Sequence, residues 1–369
     1  MRRFLLISSL SVILLVIVSF AWVAWQFFYT PLPINQPSIT ITVPPDITAA
    51  KLADNFHQQG ILPNPRVFTL FARMQGSLKH IKVGQYRLVP GMTAAELLGK
   101  LIKGGVILNK ITLVEGWTFK KMMSAIQANP HITHTLNKDA TPEEIMASIH
   151  HPGEHPEGRF YPDTYFFTSG SKDLKILAMA YEVMQKRLQQ AWQDRDPNVP
   201  YESPYQALIV ASMVEKETAS HRERPMIAGV ILKRLSSKMR LQIDATVIYG
   251  LGDSYRAPLT GSNLRADTPY NTYTRSGLPP TPIAMPQEAS IQAALHPADT
   301  NALYYVAKGD GSHIFSENLQ AHHKAAVRYW SVMKQLEIKN KTQAGYALLT
   351  RLSVSGKLMF NYWSFISVE

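Results

Sequence analysis

The chain of 369 residues contains no cysteine. Disulfides, thiolate nucleophiles and zinc–thiolate sites are therefore excluded. His150, His151 and His155 do not fall on one helical face, and Pro152 and Pro156 break the segment that carries them, so no metal site is expected there. A run of basic residues is also missing. Lys and Arg number 38 against 27 acids, a net charge of +11, but the excess is scattered along the chain. That distribution excludes the concentrated footprint of a nucleic-acid binder and favours another anionic partner, such as lipid headgroups or a carboxylate-bearing polymer. Charged residues make up only 18% against 46% hydrophobic ones, which describes a globular composition. The length suffices for a membrane anchor and two domains with cores of their own.

No Lys or Arg occurs between Arg3 and Lys51, and the stretch from Phe4 to Phe28 is uncharged and rich in Leu, Ile, Val and Phe. About 20 apolar residues cross a bilayer. Trp22, Trp25, Phe27, Phe28 and Tyr29 cluster at the far end as an interfacial belt. With Arg2 and Arg3 in front, the expected topology is a single-pass anchor over 1–29, its N-terminus cytoplasmic and the remainder periplasmic, at the inner membrane. A cleaved signal peptide is the rival reading. The apolar region is too long for it, and no small-x-small cleavage site follows. Residues 30–38 hold three prolines and no charge. They predict a stiff linker, which at ~3.3 Å per residue keeps the next domain within about 30 Å of the membrane.

Residues 39–105 alternate between strand and helix signals. Ile39–Val43 and Gly84–Leu88 read as strands, with helices between them and after them. A compact α/β unit of this size resembles the LysM modules that bind N-acetylglucosamine polymers; a packing or spacer domain remains the alternative. Val106–Glu115 predicts a further strand and Leu174–Asp194 a long amphipathic helix. Glu157–Tyr165 concentrates aromatics and carboxylates around a turn, a composition that suits a sugar site or a turn packed on the core.

The stretch Ser203–Thr218 predicts the central element. Ser203 is an N-cap and Pro204 suits the first helical position. Residues 207–214 are almost all apolar or small, and a helix apolar all round is buried. Glu215 extends the face of Leu208, Ala211 and Ser212. Desolvation there would let it hold a proton near neutrality and act as a general acid. The other reading makes Glu215, Lys216 and Glu217 a solvated last turn. Downstream, Arg240–Thr246 alternates and predicts a strand. Its polar face, Arg240, Gln242, Asp244 and Thr246, is expected to line a cleft, with a solvated edge as the alternative. Gly309–Ser316 reads as a Gly-rich turn carrying His313, and Asn318–Gln335 as a closing helix.

Val214–Thr218, Arg240–Tyr249, Tyr270–Tyr273, Gly277–Pro280, His313–Phe315 and Glu157–Thr164 occur in an order that resembles the signature blocks of the endolytic murein transglycosylases, the YceG-like family. Arg159 and Ala245 depart from the usual pattern. The resemblance covers roughly residues 39–336 and implies an α+β architecture: a single-pass transmembrane helix, a small LysM-like α/β module (39–105), and a larger α+β catalytic domain (106–338) around a central buried helix. Residues 339–369 have no counterpart and form an extension of unassigned role.

The resemblance further implies lytic cleavage of peptidoglycan glycan strands between N-acetylmuramic acid and N-acetylglucosamine, leaving a 1,6-anhydro end. Glu215 is the implied acid. Arg240, Gln242, Asp244, Thr246, Asn271, Tyr273 and His313 are the implied substrate-binding residues. No cofactor is implied, and peptidoglycan synthases are the implied protein partners of an enzyme that ends the growth of new strands beside the membrane. Two rivals differ in class. One is a non-catalytic glycan-binding scaffold. The other is a hydrolase pairing Glu215 with Asp244 or Glu217, which would leave an end one water heavier.

Overall fold

The structure, a computed structural model, describes residues 2–44, 47–77, 80–331 and 333. The extension at 339–369 lies outside the described residues. The chain forms two compact units. The first gathers residues up to Lys110 with Pro130–Thr133 and Phe166–Lys172; the second holds Ile111–Asn129, His134–Tyr165 and the chain from Asp173 on.

In the first unit, helix α1 (Arg2–Tyr29) precedes strand β1 (Ile39–Val43), helices α2 (Ala49–Gln58) and α3 (Pro65–Met74), strand β2 (Gly84–Leu88) and helix α4 (Ala94–Lys103). β1 and β2 are antiparallel, with Ile39 opposite Leu88 and Val43 opposite Gly84. The helices start where short polar side chains satisfy free backbone N–H groups. Thr48 accepts from Lys51, Asn64 from Val67, and Thr93 forms a reciprocal capping box with Glu96. Ile41, Leu52, Phe56, Phe68, Tyr86, Leu97 and Leu98 make the core.

The last turns of α1 belong to that core. Phe27 is 1% exposed and stacks on Phe71 with ring centroids 4.4 Å apart, a burial that contributes roughly 1.5–3 kcal/mol. The first part of the expected linker, residues 31–34, packs on the first unit, and residues 35–38 are exposed. Leu32 and Ile34 are buried, and the Leu32 N–H donates to the Met92 carbonyl at 2.7 Å. The prolines stiffen this segment, but the two aliphatic residues between them find an apolar surface to cover, and the segment follows them.

The second unit carries β3 (Leu108–Thr112) in part, then α5 (Phe119–Gln127), α6 (Pro142–Ser148), α7 (Asp173–Gln193), α8 (Pro204–Glu217), α9 (Arg224–Ser236), α10 (Asp244–Leu251), α11 (Gly261–Arg265) and α12 (Glu288–Leu295). The short strands β4 (Ile132–Thr133) and β6 (Ser171–Lys172) belong to the first unit, and β5 (Thr164–Thr168) begins in the second and ends in the first. A hairpin of β7 (Tyr304–Ala307) and β8 (His313–Ser316) follows, Tyr304 opposite Ser316 and Ala307 opposite His313. The expected Gly-rich turn is thus shorter than its composition suggests. Ile314 and Phe315 are good strand formers, and the chain reverses over 308–312 instead. A helix over 319–331 closes the described chain.

α8 is central. Ser203 caps it by accepting from the Gln206 N–H, Pro204 opens its first turn, and every residue from Ala207 to Val214 is buried. Those side chains meet α7, α9, α10 and α12 on different sides. From Ala207 to Val214 the helix has no solvated face; in its last turn Lys216 is exposed while the two glutamates beside it are not.

Candidate functional site

Both glutamates at the end of α8 turn into protein, and their surroundings differ. The Glu215 side chain is 4% exposed and forms an ion pair with Arg224, 3% exposed, at 3.3 Å. Its Oε2 also accepts from the Ser290 hydroxyl at 2.7 Å and from the Gln287 N–H at 3.1 Å. These partners come from the starts of α9 and α12. Each is a donor, and together they occupy the carboxylate and tie three helices together. The sequence placed Glu215 on a buried face, and it is buried. An apolar setting that desolvates it without partners is not what the structure builds around it.

Glu217 accepts from the Tyr305 hydroxyl at 2.9 Å. Burial pushes its carboxyl up, the nearby Asp244 charge pushes it further, and the Tyr305 hydrogen bond opposes them; the outcome is a value raised to about 7. Asp244, 6% exposed at the start of α10, accepts from the Tyr273 hydroxyl at 2.5 Å. Burial and the charges of Asp244 and Glu217 lift the Tyr273 phenol far above its usual range. The Tyr305 phenol is likewise lifted by burial and by Glu217. The imidazole of His313 lies edge-on to Tyr305, centroids 5.7 Å apart, and is fixed by Glu223, whose Oε2 is 2.7 Å from Nδ1 and whose Oε1 accepts from the His313 N–H. Glu217, Asp244, Tyr273, Tyr305 and His313 therefore converge, drawn from α8, α10, a loop and both strands of the hairpin.

Arg234 holds this convergence in place. It is buried and donates to the carbonyls of Leu303, Arg240 and Leu241 and to the Gln242 side chain at 2.6–3.1 Å. One cation thereby joins the start of β7 to the segment leading into α10.

The remaining expected substrate-binding residues fall elsewhere. Arg240–Ile243 is not a strand, and Asp244 begins a helix. Leu241 and Ile243 do point inward as the alternation requires, but Gln242 has φ +54° and the period changes at Asp244. The single polar face therefore does not exist. Thr246 is fully buried; its hydroxyl donates to the Ile243 carbonyl at 2.6 Å and meets the Thr272 hydroxyl at 2.9 Å. Gln242 is engaged by Arg234, and Arg240, exposed, donates to the Tyr273 carbonyl at 3.0 Å. Asn271 is fully buried, donating to the Leu264 and Ala266 carbonyls and accepting from the Tyr273 N–H at 2.8 Å. It shapes the loop that presents Tyr273.

Glu157 is a further buried carboxylate. Glu157 is 3% exposed and accepts from the Phe119 N–H through both oxygens, at 3.0 and 3.1 Å, and from the Tyr249 hydroxyl at 3.0 Å. Burial raises it to about 7 against the pull of those donors. Gly158 beside it has φ +77°, and a Cβ there would come within 2.5 Å of Pro282. Phe160, Tyr161 and Tyr165 of the same segment are buried core residues, so the aromatics are packing and not an open sugar platform.

Sequence reasoning missed Tyr305, Arg234, Arg224 and Glu223, all of which lie outside the quoted blocks and whose partners are set by tertiary packing alone.

A sequence profile described as the YceG-like family matches residues 41–328. The chain belongs to the YceG-like family. It is 27% identical over 313 residues to the endolytic murein transglycosylase of Bacillus subtilis (strain 168), covering 80% of this chain and 86% of that one. It is 25% identical over 327 residues to the endolytic murein transglycosylase of Streptococcus pneumoniae serotype 2, covering 79% of this chain; it spans only 59% of that relative's length. A crystal structure of a yceG-like protein from Listeria monocytogenes shares the fold with a TM-score of 0.50 at 28% identity, covering 78% of this chain and 98% of the other.

Proposed function

We propose that this protein is a membrane-anchored endolytic peptidoglycan lytic transglycosylase, with Glu217 as its acid. The observation that carries the reading is geometric: Glu217, at the end of α8, accepts from the Tyr305 hydroxyl at 2.9 Å beside Asp244, which Tyr273 holds at 2.5 Å, in a chain whose relatives are named endolytic murein transglycosylases; burial and the Asp244 charge raise that carboxyl to about 7. A general acid works best with a value near the operating pH. Protonated Glu217 donates to the glycosidic oxygen as the bond from C1 of N-acetylmuramic acid breaks. The resulting carboxylate then takes the proton of the same sugar's 6-hydroxyl as that oxygen bonds to C1. The proton count closes with no water consumed, the product is a 1,6-anhydro end, and one residue serves both half-steps.

Asp244, held by Tyr273, keeps Glu217 protonated through like charge and places negative charge where C1 becomes cationic. Glu215, in this proposal, ties α8 to α9 and α12 through Arg224, Gln287 and Ser290. His313, oriented by Glu223, and Tyr273 are the side chains best placed to meet substrate hydroxyls.

The fold supports the wider reading. α1 contains a helix segment, Leu10–Tyr29, long and apolar enough to cross a membrane; with Arg2 and Arg3 before it, the units beyond it would face the periplasm beside the inner membrane. The β1–α2–α3–β2 arrangement is proposed as a LysM-like glycan contact. Peptidoglycan synthases are proposed partners of an enzyme that cuts strands as they emerge.

The deciding experiment digests purified glycan strands and weighs the new ends. Anhydro ends support the proposal. Ends one water heavier would mean a hydrolase, and intact strands with retained binding would mean a scaffold.

A further inference from the structure

The end of α1 and helix α3 lie side by side through a ladder of aromatic rings. Phe68 meets Phe27 with centroids 6.3 Å apart. Phe71, one turn on, meets Phe27 at 4.4 Å, Phe28 at 5.4 Å and Phe20 at 6.4 Å. Moving from Phe68 to Phe71 therefore descends α1 from Phe27 toward Phe20: α3 runs down as α1 runs up. Met74 stands a further turn along the same descent.

The depth of that descent follows from counting. The uncharged stretch begins at Phe4, and about 20 helical residues, ~30 Å, fill the hydrocarbon layer. Of the apolar length available, Val23, Ala24 and Phe27 pack on the core of the first unit, so the layer takes the residues before them and ends near Val23, and Phe20 lies about one turn inside it. Trp22, Trp25 and Tyr29, 62%, 61% and 65% exposed, occupy the zone where such side chains mark the headgroups. The C-terminal half of α3 is alongside them.

The side of α3 that faces away from the core has a matching composition. Leu70 and Met74 are one turn apart on it, 44% and 62% exposed. Arg66 and Arg73 are exposed and lie four residues before and three after Leu70 on the same row. Two large apolar side chains left open beside two guanidinium groups have a cost in water and a partner at a lipid interface, where the apolar groups meet acyl chains and the cations meet phosphates.

We propose that the Arg66–Leu70–Arg73–Met74 face of α3 is inserted in the headgroup layer of the bilayer that α1 crosses. The first unit then touches the membrane twice, by its spanning helix and by a flanking interfacial one. The proposal rests on the reading of α1 as a membrane span.

The chain has no cysteine, so single labels can be placed without any background substitution. The full chain is placed in vesicles of phosphatidylethanolamine and phosphatidylglycerol as Leu70→Cys, Met74→Cys and Val16→Cys, each carrying an environment-sensitive fluorophore. All three side chains are exposed in the fold, so the label displaces no core contact. Labels at 70 and 74 are expected to shift to the blue and to lose more emission to a headgroup-level lipid nitroxide than to one at the acyl terminus; the label at 16 is expected to show the reverse order. Quenching of positions 70 and 74 by aqueous iodide alone, with position 16 still quenched from within the lipid, would overturn the interfacial face and leave the anchor standing. If position 16 is also open to iodide, the anchor reading fails and takes this proposal with it.

Discussion

The Tyr305 hydroxyl donates to Glu217 over 2.9 Å, from a strand 88 residues further along the chain. That bond favours the carboxylate over the acid and so works against the burial and the Asp244 charge that raise Glu217. Tyr305→Phe removes it. Glu217 should then bind its proton more tightly, and the alkaline limb of kcat/KM, which reports loss of the general acid's proton, should move to higher pH. A limb that stays in place would detach Tyr305 from the titrating group.

Asp244→Asn should move the same limb the other way. Its charge is the second cause of the raised value, and removing a like charge makes the acid easier to ionise. The variant should lose activity from neutral pH upward while retaining more of it in acid. A uniform loss at all pH values would mean that Asp244 acts on substrate alone.

The two glutamates of α8 should separate cleanly. Glu217→Gln keeps shape but has no proton to give, so anhydro-end yield should fall by about 10²–10⁴-fold with melting little changed. Glu215→Gln should instead weaken the fold. It leaves Arg224 buried without its counter-charge, a loss of about 3–5 kcal/mol in comparable pairs. Denaturant melts beside product yields distinguish them, and an inactive but fully stable Glu215→Gln enzyme would return the acid's role to Glu215.

Glu157 should make stability fall as pH rises. Its carboxyl is raised from the ordinary 4.5 to about 7, so between those values the folded state holds a proton that the unfolded chain has released. The stabilisation is complete below about pH 4.5 and lost as pH passes about 7. Glu157→Gln should flatten that slope by at most about 3 kcal/mol, with Glu217 still contributing its share. Unfolding free energies measured across this range for the two proteins test it.

Much of the fold was legible because local signals agreed. β1 and β2 follow the alternation of Ile39–Val43 and Gly84–Leu88, and α8 follows its Ser203 cap and unbroken apolar run. The sequence reading favours Glu215 as the acid, and the Glu217 reading proposed above rests on partners that no local signal shows. A face argument needs a solvated side to compare with, and α8 has none from Ala207 to Val214. What distinguishes the two is the partner each meets, Arg224 and Ser290 or Tyr305 and Asp244, and those arrive from separate elements. Arg240–Thr246 misled for a related reason. Leu241 and Ile243 keep the period of a strand, while Asp244 starts a helix whose first turn buries Thr246 against Thr272. Two periods meet at one residue, and seven positions are too few to tell them apart.

Leu32 and Ile34, buried in the first unit just after Phe27, leave no slack between that unit and α1. A bilayer thinner than the apolar length of a spanning helix makes the helix tilt. With a flexible leash, the tilt would stop at the lipid surface. With α1 spanning the bilayer as proposed, the helix is a lever arm: its angle is handed directly to the unit it carries, and the local thickness of the membrane becomes an input to that unit.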